Sequence, residues 1–233
     1  MLMAEGKSIL DAHRNPVQLR GPTVASLNDM ERAGVNIQTK IASLATAGAR
    51  VLRLPVREGD MSPGFANQKL VPFVQAANAQ GIYVIIALEF GLSAYDDTRF
   101  DAIENSLREQ IPYFGSSPGV MFEPIREIKT MTPLRRKNVA QRMIDGLRGY
   151  RARNIYIATE PVYLSDLDAS ISVPLTGGNI VYGVHTASEV PADAIVPIAL
   201  LSTTNVEPGI PIVLTDDDPV KYGSLWQTST GCM

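Results

Sequence analysis

The sequence predicts an α/β chain folded as a (β/α)8 TIM barrel, compact, with outer helices reduced or missing near the C-terminus. Short apolar runs alternate with amphipathic helical stretches, and such alternation implies parallel strands joined by right-handed crossovers. Eight strand candidates fit within 233 residues, which suits a closed eight-stranded barrel better than an open doubly wound sheet. An open sheet would also favour a glycine-rich phosphate loop after its first strand. Arg20-Gly-Pro-Thr23 does not have that G-x-G-x-x-G spacing.

Each element has a local reason. Val17–Gly21 reads as the first strand. Asn36–Ala47 places Ile37, Ile41, Leu44 and Ala45 on one helical face, and Gly48 stops it where a left-handed residue is expected. Val51–Val56 is the second strand. Asn67–Gln80 is a helix with Leu70, Val71, Val74 and Ala77 inward, ended by Gly81. Ile82–Leu88, the third strand, is apolar throughout, as a strand buried on both faces should be. A helix over Asp97–Tyr113 leads to the fourth strand, Gly119–Glu123. The helix Thr132–Arg151 is capped by Thr132 with Pro133 in its first turn. Asn154–Ala158, Asn179–Val184 and Ile210–Leu214 are the fifth, sixth and seventh strands, and Leu225–Thr228 is the eighth candidate. Pro161–Thr176 reads as a loop, and Ala192–Leu201 as a helix broken at Pro197. Little chain follows Thr215, so the last outer helices are expected to be short or absent. A protein partner or a second copy would then cover the bare barrel wall, together with the segment before Val17.

Composition bounds the function classes. Residues 1–233 form a single domain, 45% apolar and 19% charged, with net charge −3. That profile excludes disorder and gives no bulk attraction to nucleic acid or to an anionic membrane. The basic run Arg135-Arg-Lys137 reads as the solvated start of a helix. The one cysteine, Cys232, permits no intrachain disulfide. No basic-then-apolar leader opens the chain, and the longest apolar run, Ile82–Leu88, is too short to span a bilayer. A cytoplasmic or virion-associated setting follows as the expectation. No cofactor is implied. Asp216-Asp-Asp218 reads as a solvated acidic loop, because no metal-ligand spacing recurs around it. Ser116-Ser-Pro-Gly119 is a turn without a nucleophile elbow.

The chemistry-bearing segment is Gly119-Val-Met-Phe-Glu-Pro-Ile-Arg-Glu-Ile128, a strand ending in two carboxylates with Arg126 beside the second. Here the chain resembles glycoside hydrolase family five, the cellulase-type barrels. Ile9 to Gly21 is similar to that family's opening, which closes on Leu-Arg-Gly. Ile41 to Pro55 is similar to its helix, glycine and Val-Arg-Leu-Pro strand. Val71 to Leu88 resembles its third-strand unit, and Val120 to Glu127 its acid-bearing strand. Asn179 to His185, Pro211 to Asp216 and Trp226 occupy the places of its last three strand motifs. The resemblance implies a substrate-binding arginine at Arg53, an acid/base at Glu127 and a substrate histidine at His185, with carbohydrate as ligand. It also marks departures: Glu89 stands for a histidine, Arg126 for an asparagine, Ala187 for a tyrosine and Asp216 for the nucleophilic glutamate.

These departures bear on catalysis. A retaining glycosidase holds its carboxyls about 5–5.5 Å apart and an inverting one about 6.5–9.5 Å. Aspartate at 216 is shorter than glutamate by one C–C bond, roughly 1.5 Å. A guanidinium at 126 favours ionised Glu127, whereas a general acid needs its pKa raised. Glu89 is expected to pair with Arg126 or Arg53, turning the former site into an ion-pair network, and Glu123 reads as a buried hydrogen-bonded carboxylate. His185 is either a substrate ligand or a structural histidine, and His13 an exposed turn residue. Sugar-stacking aromatics are few, with one Trp and 6% aromatics, although Tyr95, Tyr163, Tyr182 and Tyr222 are candidates. Two functional readings follow. One is a degenerate barrel serving as a structural, assembly or carbohydrate-binding module, for instance in a virion-type assembly. The other is an active small glycosidase with Glu127 as acid/base and Asp216 as nucleophile or base.

Overall fold

The computed structural model describes residues 1–5, 8–89, 97–125, 132–160, 175–185 and 212–215. The chain opens with a hairpin, β1 (Met3–Glu5) antiparallel to β2 (Ser8–Leu10). Two helices follow, α1 (Leu27–Arg32) and α2 (Ile37–Thr46). Ser26 caps α1 by accepting from Asp29 N, and Asn36 caps α2 by accepting from Thr39 N at 3.0 Å. After α2, Gly48 turns the chain with φ 90°, a conformation that costs a side-chain-bearing residue far more.

Six parallel strands then lie side by side in chain order: β3 (Val51–Arg57), β4 (Tyr83–Glu89), β5 (Val120–Glu123), β6 (Tyr156–Glu160), β7 (Ile180–His185) and β8 (Ile212–Thr215). The intervening helices are α3 (Val71–Ala79), α4 (Asp97–Phe114) and α5 (Pro133–Gly149). This strand–helix alternation is that of a (β/α)8 barrel.

The expected first strand pairs further along the chain than its sequence suggests. Val17 N donates to Ile9 O at 2.8 Å, and Leu10 bridges Pro16, so this stretch folds back on β2. The parallel ladder to β3 therefore begins only at Arg20. Arg20 O accepts from Val51 N, Pro22 O accepts from Arg53 N at 3.1 Å, and Val24 N donates to Arg53 O at 2.9 Å.

Side chains alternate across a strand with period two, and the two sets here find different partners. Val51, Ile85, Met121, Ile157 and Val181 pack with Leu2 and Ile9 of the hairpin. Leu52, Leu54, Val84, Ile86, Phe122 and Tyr156 pack instead with helix residues such as Ile41, Val74, Leu107 and Met143. The first set fills the barrel interior and the second lines its helix-covered wall. The hairpin plugs the interior at the end where the strands begin. Ala4 N donates to Asn179 Oδ1 at 3.0 Å, just before β7.

Several boundaries differ from the sequence reading, for local reasons. The helix expected over Asn67–Gln80 starts as one wide π turn, Ala66–Leu70, before α3. Pro72 lacks an N–H and crowds the carbonyl four residues back, and a wide turn relieves both. The fifth strand begins at Tyr156 rather than Asn154, whose backbone carbonyl accepts from Arg148 Nη2 at 3.1 Å and whose side chain binds three other carbonyls. Its Nδ2 donates to Phe114 O, Ser117 O and Val120 O at 2.9, 3.2 and 3.0 Å. The hairpin β1–β2 and helix α1 are additions to the elements the sequence predicts. The helix expected at 192–201, the strand expected at 225–228 and most of the loop expected after Pro161 lie outside the described residues. Among those described, no helix is long and apolar enough to cross a membrane.

Gly21 provides the test of the first-strand pairing. A Cβ there would lie 1.6 Å from Val51 O, a backbone atom that cannot yield without breaking the ladder. Gly21→Ala is expected to lose more than about 4 kcal/mol or fail to fold, while Gly59→Ala, which meets nothing within 4 Å, should stay within about 0.5 kcal/mol of wild type. Urea denaturation followed by circular dichroism measures both.

Candidate functional site

Barrels of this kind carry their chemistry at the C-terminal ends of the strands. Three charged side chains from three adjacent strands gather at that end. Arg53 pairs in register with Ile85, Ala87 pairs with both Pro55 and Glu123, and Arg57 pairs with Glu89. Glu123 therefore sits two residues nearer the rim than Arg53, and Glu89 two residues nearer again. At roughly 3.3 Å of rise per residue, an extended arginine side chain spans this climb.

The contacts follow from those heights. Arg53 Nε donates to Glu123 Oε2 at 2.7 Å, and Nη2 donates to Glu123 Oε1 at 3.1 Å. Nη1 donates to Glu89 Oε1 at 3.0 Å. The first two bonds form the parallel fork that makes arginine–carboxylate pairs strong and directional. Side-chain exposure is 4% for Arg53, 0% for Glu123 and 18% for Glu89. Burial alone would lower the Arg53 pKa. The charge of Glu123 and the hydrogen bonds to Glu123 and Glu89 outweigh that and hold it above the ordinary arginine range.

A second polar cluster anchors the rim of β3. Arg57 N donates to Asp60 Oδ2 at 3.0 Å, and Arg57 Nη1 donates to Asp29 Oδ2 at 2.8 Å. Asn28 Nδ2 donates to Asp60 Oδ1 at 2.8 Å, and Lys69 Nζ donates to Asn28 Oδ1 at 2.6 Å. This network ties α1 and the turn before α3 to the strand end that carries the site.

Of the residues singled out from sequence, Arg53 and Glu89 are brought together. Glu123 is the buried, hydrogen-bonded carboxylate it was read to be. His185 ends β7 in register with Thr215, the last residue of β8 and the residue before Asp216. Arg126, Glu127, Asp216 and Trp226 lie outside the described residues. Even so, β5 and β8 leave the sheet at the same rim, on their way to Glu127 and Asp216. His13 is exposed, as expected.

Two readings need correction. Tyr182 is buried in the helix-covered wall, where its hydroxyl accepts from Leu175 N at 3.0 Å, so it is no sugar platform. Arg136 is buried on α5 rather than solvated with its neighbours. Among the described residues, no group of three His, Cys, Asp or Glu could hold a metal ion.

Sequence reasoning did not name the Arg53–Glu123 pair. Its signal was a cation and an anion within apolar strands, β3 and β5, that flank β4.

With this geometry in place, comparison with known proteins gives a consistent picture. The family model described as Cellulase (glycosyl hydrolase family 5) matches residues 10–191. No curated protein sequence matches the chain. The catalytic domain of endoglucanase Cel5A from Thermobifida fusca superposes with a TM-score of 0.75 at 20% identity, over 92% of this chain and 72% of that one. A structure from Cytophaga hutchinsonii gives 0.74 at 21% identity, over 97% and 77%. The beta-glucanase SdGluc5_26A from Saccharophagus degradans, solved in complex with cellotetraose, gives 0.72 at 17% identity, over 96% and 75%. At such identities these likenesses establish the barrel fold.

The buried pair predicts a specific stability pattern. Removing one partner leaves the other charge buried and uncompensated, which costs about 3–5 kcal/mol. Arg53→Ala is expected to fall in that range by chemical denaturation. Arg53→Lys should recover less than half of the loss, because an ammonium cannot make the two-bond fork.

Proposed function

Because the chain belongs to glycosyl hydrolase family 5, we propose that it is a glycoside-hydrolase-like barrel that binds β-linked glucan at its C-terminal mouth without appreciable hydrolysis. The observation that carries this reading is the Glu89–Arg53 bond at 3.0 Å. In the family pattern a histidine stands at the Glu89 position and the arginine serves the substrate. Here both the fork and the outer nitrogen of Arg53 are committed to carboxylates, and its side chain is only 4% exposed.

The sequence at the two catalytic positions supports the same conclusion. Arg126 beside Glu127 favours the ionised carboxylate, the wrong state for protonating a leaving group. Asp216 is shorter by about 1.5 Å than the glutamate it replaces. A misplacement of about 1 Å can cost on the order of 10²-fold in rate. Glucan is the ligand class because two of the similar structures are an endoglucanase and a beta-glucanase, the latter holding cellotetraose.

One observation favours the second reading, an active small glycosidase. β5 and β8 run parallel in one sheet, so Glu127 and Asp216 both follow strand ends at one rim. The two readings separate in a single assay. With an aryl β-cellobioside, wild type is expected to match the uncatalysed background, and Glu127→Gln to change nothing. A wild-type rate above background that falls by about 10²-fold or more in Glu127→Gln would establish the enzyme instead.

A further inference from the structure

We propose that Arg57 is a ligand-binding residue of the mouth, donating paired hydrogen bonds to vicinal hydroxyls of a neutral glucan. This deepens the glycan-binding reading above, on which it rests. The argument begins on one strand. Side chains repeat every second residue, so Arg57 shares its face of β3 with Arg53 and stands nearer the rim, as the last residue of the strand. At roughly 3.3 Å of rise per residue the step between them is about 13 Å. Arg53 is committed to Glu123 and Glu89 and is 4% exposed, whereas the Arg57 side chain is 53% exposed. The strand therefore carries two guanidinium groups, one locked inside the barrel and one at the end where ligands meet barrels of this class.

The hydrogen bonds of Arg57 leave a particular edge for a ligand. Its Nη1 donates to Asp29 Oδ2 at 2.8 Å. Among the described residues, no group accepts from its Nε or Nη2. Those two atoms are the pair through which Arg53 grips both oxygens of Glu123, at 2.7 and 3.1 Å. A planar edge of two donors suits two adjacent oxygens, and neighbouring hydroxyls of a glucose unit are such a pair. The edge is also set before a ligand arrives. Arg57 N donates to Asp60 Oδ2 at 3.0 Å, and Asp29 is held in turn by Arg32 Nη2 and, through its own N–H, by Ser26 Oγ at 3.2 Å. The bonded network is balanced, with Arg32, Arg57 and Lys69 against Asp29, Glu31 and Asp60. It offers directed donors without an excess of positive charge, which favours neutral hydroxyls over the carboxylate of an acidic sugar.

The test is isothermal titration calorimetry of the full chain with cellotetraose. Arg57→Met keeps the stem and removes the donors. Arg57→Lys keeps an ion pair with Asp29 and loses the two-donor edge. Both are expected to weaken binding by about tenfold or more, the factor that one hydrogen bond from a charged group supplies. The Arg57–Asp29 pair is exposed, and exposed pairs add little to stability, so the urea midpoints of both variants should stay close to wild type. Wild-type affinity in Arg57→Lys would overturn the proposal, since Arg57 would then only tie β3 to α1. Wild-type affinity in Arg57→Met would overturn it as well, and either result leaves the glycan-binding reading standing. Tighter wild-type binding of the β-1,4-linked tetraglucuronate than of cellotetraose would overturn it too, by making the edge a carboxylate site. Binding of neither ligand by wild type would sink this inference and the glycan-binding reading together. Turnover of cellotetraose would sink the non-hydrolytic reading alone, with Arg57→Lys then expected to raise KM at unchanged kcat.

Discussion

The guanidinium of Arg53 is the constraint around which the mouth of this barrel is arranged. It joins β3, β4 and β5 through three hydrogen bonds at different heights. Placing a cation in the interior costs several kcal/mol of desolvation, and only well-formed partners offset it. Glu123 supplies the geometry and Glu89 the outer partner. Any change in the relative height of these strands would break the fork. The pair therefore favours one register as well as holding one charge.

Two different devices hold the two ends of the sheet. The rim is fixed by charges: the Arg53 group, and beside it the Arg57–Asp29 and Asn28–Asp60 contacts. The opposite end is fixed by apolar packing and by side-chain donors bound to backbone carbonyls, with Leu2 and Ile9 pressed against Val51 and Ile85. Asn154 holds three carbonyls there, and Arg148 donates to Ala152 O and Gly178 O at 2.6 and 2.7 Å. Inside the barrel, charge sits at the rim and apolar packing at the closed end, while the periphery of the closed end carries Arg148 and the exposed Arg14–Glu5 pair. That division suits a barrel with one working face.

How much of this was legible in the sequence depended on range. Periodicity and caps exposed α2, α4 and α5 and the cores of most strands, because those signals lie within a few residues of one another. The order of the motifs gave the family. The first strand was misplaced by three residues because Pro16 and Val17 are claimed by β2, a contact no local pattern reports. Helix α1 is too short for its period to stand out. At the site, an acid at an apolar strand end needs a partner, which points Glu89 to Arg126 or Arg53, and it bonds Arg53. Glu123 is 70 positions from Arg53, and only the strand register reveals that they meet. Tyr182 misled because one aromatic on a strand gives no sign of which face it takes until neighbouring registers are known.

The plug at the closed end also bears on how the chain is made. Ala4 is tied to Asn179, 175 positions later, so this hairpin cannot settle until most of the barrel exists. Until then Leu2 and Ile9 are exposed apolar groups on a short hairpin, which is marginal by itself in water. Contacts of such separation are closed slowly. The amino-terminal segment is thus expected to dock late, and in the interval it is the part of the nascent chain most open to capture by a chaperone or a neighbouring copy.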